Sequence, residues 1–225
     1  MVAAVVGDPR HTTEELGLLG SNHYINDLAA NSPSTLRKIA LYLNFDMIGS
    51  PNFARFVYDG DDSGQTGQTG DAGPGPQGSA AIEYVFADYF QSQGLATAPT
   101  DFSGRSDYGP FIAEGVDIPS GGLFTGAEGV KTEAEEAAFG GEAGKAYDEC
   151  YHEACDTIAN VNLTAVDQNV DAIAHAVVVF GGSTTGTYDL GLANRTSGPG
   201  TETGDPSSQG GLRVGHAEHA LEGRS

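Results

Sequence analysis

Apolar residues along the chain fall into two spacings that alternate. Over residues 13–30, Leu18, Ile25 and Leu28 recur at helical intervals; Thr12 or Thr13 is placed to cap this helix, and Glu14 and Glu15 lie near the positive end of its dipole. Residues 39–48 form a continuous, β-rich apolar run broken by Asn44 and Asp46, which predicts a buried strand carrying a polar side chain to its carboxyl end. A short strand follows over 53–59, a helix over 79–93, a short helix over 106–114, and a strand over 118–124 that runs into a glycine-rich turn. The last periodic segment, 162–180, predicts an amphipathic helix with Leu163, Val166, Val170, Ile173 and Val177 on its apolar face and a stop at Gly181-Gly182. This alternation predicts an α/β fold.

Between 59 and 78 the chain is polar and rich in glycine and aspartate; no EF-hand spacing is met, and a solvated loop is the preferred reading over calcium binding. After Ser183 periodicity vanishes and Gly, Ser, Thr and Pro dominate, which divides the chain into a domain over 1–183 and a tail or linker over 184–225. Charge then removes whole classes of function. With 31 acidic against 10 basic residues and a net charge of -21, the chain lacks the basic stripe that a nucleic-acid binder needs. No apolar run approaches the roughly 18 residues of a membrane span. Most of the carboxylates read as solvated surface. Cys150 and Cys155 stand five apart, a spacing that can close into a disulfide ring or leave two buried thiols; closure favours an oxidising, extracellular setting.

Metal-ligand side chains occur in unusual company at three places: the Glu14-Glu15 pair, Asp46 at the end of a buried strand, and Tyr151-His152 inside the cysteine ring. Carboxylates and an imidazole are the mixed donor set that catalytic zinc takes, and an uncommitted carboxylate beside a ligand can act as a base.

The strings EELGLLGS (14–21), LNFDMIGSPN (43–52), GRSDYGPF (104–111), SGGLFTGA (120–127) and CYHEACD (150–156) resemble the secreted bacterial di-zinc aminopeptidases, the aminopeptidase Y and leucyl aminopeptidase group of metallopeptidase family twenty-eight. That resemblance implies a three-layer α/β/α domain with a mixed, mostly parallel sheet. It implies a secreted enzyme, monomeric when intact, that removes amino-terminal residues from peptides and prefers large hydrophobic ones. Glu14 would be the general base, Glu15 and His152 ligands of one zinc, Asp46 a ligand of the other, and Tyr151 a hydroxyl donor to the developing oxyanion. Arg105 would line the substrate site and Phe124 wall the pocket for the first side chain. A Cys150–Cys155 bridge would hold Tyr151 and His152 toward the metals. Asp167 and Asp171, four apart on the long helix, match calcium ligands of some members of that family, and a solvated helix face fits them equally.

The same family has a histidine and a metal-bridging aspartate upstream of the glutamate pair, and neither is found here. His11 is too close to Glu14 to substitute. The expectation is therefore an amino-terminally truncated catalytic domain lacking the first elements of its sheet, with impaired or absent activity. A catalytically dead peptide-binding fragment is the alternative.

Overall fold

The computed structural model describes residues 14–64 and 73–182. His11, the cap at Thr12 or Thr13 and the 184–225 tail lie outside them. Residues 39–45 are buried almost throughout, and the middle of the predicted run pairs as strand β1 (Tyr42–Phe45). The helices before it are α1 (Leu19–Asn31) and the short α2 (Pro33–Leu36). After it come β2 (Phe56–Tyr58), α3 (Ser79–Ser92), β3 (Ala98–Thr100), α4 (Gly109–Ile112), β4 (Ser120–Phe124), α5 (Glu133–Phe139) and α6 (Leu163–Gly182).

The four strands form one sheet in the order β1-β4-β2-β3. β1 runs parallel to β4, with Tyr42 opposite Ser120 and Phe45 opposite Leu123; β2 is antiparallel to β4 and parallel to β3. The sheet is thus mixed and mostly parallel, as expected, and its β1 and β4 carboxyl ends lie together. Gly122 has φ 151, and a Cβ there would run into the carbonyl of Asn44, so the close β1–β4 approach requires glycine.

Alternation along the strands feeds a core on each face. Leu41, Leu43, Val57 and Leu123 pack with Ile82, Phe86 and Phe90 of α3 and Ala172, Ala176 and Phe180 of α6. On the other face Tyr42 and Tyr58 pack with Ile25 and Leu28 of α1, Phe102, Tyr108 and Phe111. The result is the helix–sheet–helix layering expected.

Several local expectations change. The helix predicted over 13–30 begins later: Glu14–Leu16 is a 3-10 turn, and Gly17 (φ 98) and Leu18 (φ 58) redirect the chain before α1 starts. The predicted face of α6 is corrected by one residue, a rotation of about 100°. Ala165, Asn169, Ala172, Ala176 and Phe180 are the buried positions, while Leu163, Val170 and Val177 are exposed. Small side chains let this helix sit close on α3 and the sheet, where a row of valines would hold it off. The short helix over 106–114 contracts to α4, whose Pro110 sits in its first turn. Three labelled elements were not anticipated: α2, β3 and α5. β3 has only three residues with a proline at its centre, which an edge strand tolerates. α5 opens on a capping box between Thr132 and Glu135, a signal that Thr-Glu-Ala-Glu carries. In the loop after β2, Asp59 is buried at its start, while residues 61–64 are exposed.

Candidate active site

Three chain segments meet at the carboxyl end of β1. The first is the 3-10 turn, where the Glu14 carbonyl accepts the amides of Gly17 (3.0 Å) and Leu18 (2.9 Å) and sets Glu14 and Glu15 ahead of α1 rather than in its first turn. The second is Asp46, immediately after β1. Its Oδ2 accepts the hydroxyl of Ser106 at 2.8 Å, and Ser106 in turn accepts the buried Asn44 amide at 3.0 Å. This relay fixes the carboxylate from behind, the kind of outer support that orients metal ligands.

The third segment is the cysteine ring. Cys150 and Cys155 are bridged, with Cα atoms 5.3 Å apart. Buried Asp148 anchors the ring's start by accepting the Cys150 amide and the Asn160 side chain, both at 2.8 Å. Within the ring, Tyr151 and His152 stack at 3.9 Å between ring centroids. His152 Nε2 then lies 2.8 Å from Glu15 Oε2. Of the five described non-glycine residues with positive φ, three are Leu18, Met47 and His152 itself, each in or beside one of these segments. Such backbone is costly for an L-residue and concentrates at functional sites, so its clustering supports this as the working centre.

The electrostatics are those of crowded carboxylates. Partial burial, then Asp46, Glu15 and Asp107, push Glu14 from 4.5 to about 6. Burial is also the main cause raising Asp46, assisted by Glu15 and Asp107 and opposed by the Ser106 hydroxyl. Burial raises Tyr151 as well, against the pull of the Arg105 guanidinium. Arg105 binds Glu128 Oε1 at 2.8 Å and is hydrogen-bonded to Tyr151, and both contacts raise it. Burial pushes Glu128 up, but Arg105 and its own backbone amide hold it below its ordinary value on balance.

Glu14, Glu15, Asp46, Arg105, Tyr151 and His152 are therefore brought to one region. Phe124, at the end of β4, is half-buried and packs on Phe56 at 5.9 Å, bridging two apolar clusters beside this region. Asp167 and Asp171 lie elsewhere, exposed one turn apart on α6. Sequence reasoning passed over Ser106, Asp107, Asp148 and Glu128. The first two were legible only as members of the GRSDYGPF string, and Asn44 only as a break in an apolar run.

A layered α/β domain with carboxylates, an imidazole and a phenol gathered where two parallel strands end has the build of a metallopeptidase domain. Residues 11–177 match Peptidase family M28, and the chain belongs to that family. It is 52% identical over 175 residues to leucine aminopeptidase 2 of Trichophyton rubrum, covering 78% of this chain and 33% of that protein. It is 53% identical over 161 residues to an aminopeptidase of Pseudomonas aeruginosa, covering 72% of this chain and 28% of that protein. The chain thus spans a third or less of the length of these curated relatives, which come from a fungus as well as a bacterium. Among solved structures, BSAP, a zinc aminopeptidase from Bacillus subtilis, is similar in fold: TM-score 0.52 at 22% identity, over 75% of this chain and 34% of that one. Among the described residues, no helix is long and apolar enough to cross a membrane.

Proposed function

We propose that this domain holds the catalytic centre of a zinc-dependent aminopeptidase acting on peptides with large hydrophobic amino-terminal residues. The observation that carries the reading is the 2.8 Å contact of Glu15 with His152, assembled from distant segments beside Glu14 and Asp46. A carboxylate and an imidazole in contact are a donor pair that suits zinc. Among the described residues, Asp46, Glu15 and His152 do not bring one ligand atom each within 4.8 Å of one another. Glu15 and His152 would hold one ion and Asp46 the other. Zinc bound there would polarise the scissile carbonyl and acidify water.

The chain's own groups do the rest. Glu14, held near 6, is poised to take a proton from the attacking water on a carboxylate oxygen and return it to the leaving amine. Tyr151, whose hydroxyl burial keeps protonated, donates to the oxygen that gains charge. Arg105 fixes that phenol and lines the entry, and Phe124 offers an apolar wall to the first side chain. The disulfide suits an extracellular enzyme. A calcium role for the Asp167–Asp171 pair belongs to the same reading and rests on their shared helix face.

The test is hydrolysis of leucine p-nitroanilide by the purified chain with added zinc. Glu14→Gln is expected to lower kcat by about 10²–10⁴-fold while the protein stays folded. Undiminished turnover in that variant overturns the assignment of the base. Binding of peptide with no turnover in either protein favours the catalytically dead fragment.

A further inference from the structure

At the edge of this centre stands a charged side chain that the mechanism leaves unused. Glu128 follows β4 by four residues, in a loop pinned on both sides: Ala127 accepts the Asp148 amide and Gly129 accepts the Tyr147 amide, each at 2.9 Å. The backbone that carries Glu128 is therefore tied to the stretch of chain leading into the cysteine ring. Its carboxylate takes the Arg105 guanidinium at 2.8 Å, and Arg105 reaches on to Tyr151. Glu128 also raises Tyr151 electrostatically, and is itself lowered by His152.

Position decides what these two charges can touch. Their side chains are 64% and 53% exposed, whereas Asp46 and Phe124 are half-buried. A peptide that lays its first side chain on Phe124 and its scissile bond near Glu14 must carry its next residue outward, across the exposed pair. Arg105 alone would attract an acidic side chain there. With Glu128 in direct contact that attraction is cancelled, and Glu15 and Asp46, committed to zinc in the reading above, add no net negative charge to the rim.

We propose that Glu128 is a specificity-determining residue: by cancelling Arg105 it keeps the centre from favouring peptides with an acidic second residue. The inference rests on the aminopeptidase reading above. An exposed ion pair adds little to stability, so substitutions at Glu128 test recognition without unfolding the domain.

The experiment compares calorimetric binding of two peptides, Leu-Lys-amide and Leu-Glu-amide, each with the first carbonyl reduced to methylene so that neither is hydrolysed. Binding is measured on the full chain with zinc. The two peptides are expected to bind the parent within about twofold of each other, because the paired charges cancel. Glu128→Gln should make the glutamate peptide bind about three- to tenfold more tightly at low salt, with the ratio shrinking as salt rises, Glu128→Lys should widen that preference, and Glu128→Asp should keep the two peptides near equal. A parent that already favours the glutamate peptide, or a ratio unchanged in both Glu128→Gln and Glu128→Lys, overturns the inference and leaves the peptide site standing. Failure of both peptides to bind the parent removes the peptide site and the inference together.

Discussion

Two acidic clusters follow strands at opposite ends of the sheet, and their oxygens are held in opposite ways. Asp46 follows β1, whereas Asp59 follows β2, which runs the other way. Around Asp59 the backbone does the holding: Asp59 is 2% exposed and accepts the amides of Ser63 (3.1 Å) and Gly64 (2.6 Å), and Glu83 accepts Gly60 at 2.7 Å. Asp59, Asp61 and Glu83 bring one oxygen each within 4.8 Å of one another. Around Asp46 the neighbours are other acids, one of them Glu15 in contact with an imidazole, and the Ser106 hydroxyl and a single backbone amide, that of Met47, donate to it. Backbone amides that saturate a carboxylate tie down a loop; carboxylates set against each other and a histidine keep lone pairs for something else. Proximity of acids alone therefore does not mark the working site.

The largest expected effect tests the first cluster. Zinc at a hundredfold excess over its Kd should stabilise the chain by about 2.7 kcal/mol in denaturant unfolding. His152→Ala should remove that gain, and Asp59→Ala should keep it. A gain that vanishes in Asp59→Ala and survives in His152→Ala would invert the comparison. Next in size, Asp59→Ala should cost about 2–3 kcal/mol without metal, because two backbone amides lose a charged acceptor. A loss below about 0.5 kcal/mol would mean that the loop is held by other contacts.

The smallest effect concerns Glu83, which burial pushes from 4.5 to about 7 against the opposing Gly60 amide. Between those values the folded chain retains a proton that the unfolded chain has released, so stability declines as pH rises through this window and the full cost persists above it. Glu83→Gln should therefore stabilise the protein by about 1 kcal/mol at pH 8, after discounting for the part of the side chain that solvent screens, and leave it unchanged at pH 4. Equal effects at both pH values would show that packing rather than ionisation sets its contribution.

Elements with strong local signals are legible in the residue pattern. The apolar run ending at Asp46, the helix over α3 and the length of α6 all follow from spacing. The face of α6 does not, because valine and alanine are both apolar and only the distance to α3 and the sheet selects the smaller. The site is legible as residue types joined by a family likeness, and the 3-10 turn under Glu14 is hidden behind a helical period. β3 escapes notice because three residues around a proline hold no period at all.

By itself the sequence determined the alternation of helices and strands, the family and the five-residue cysteine spacing, since each is written in neighbouring residues. Only the tertiary structure decided that Glu15 meets His152, that Ser106 backs Asp46, and that Glu128 takes Arg105. Those pairings depend on which segments the sheet brings to one end, and no local period encodes a contact between residues far apart in the chain.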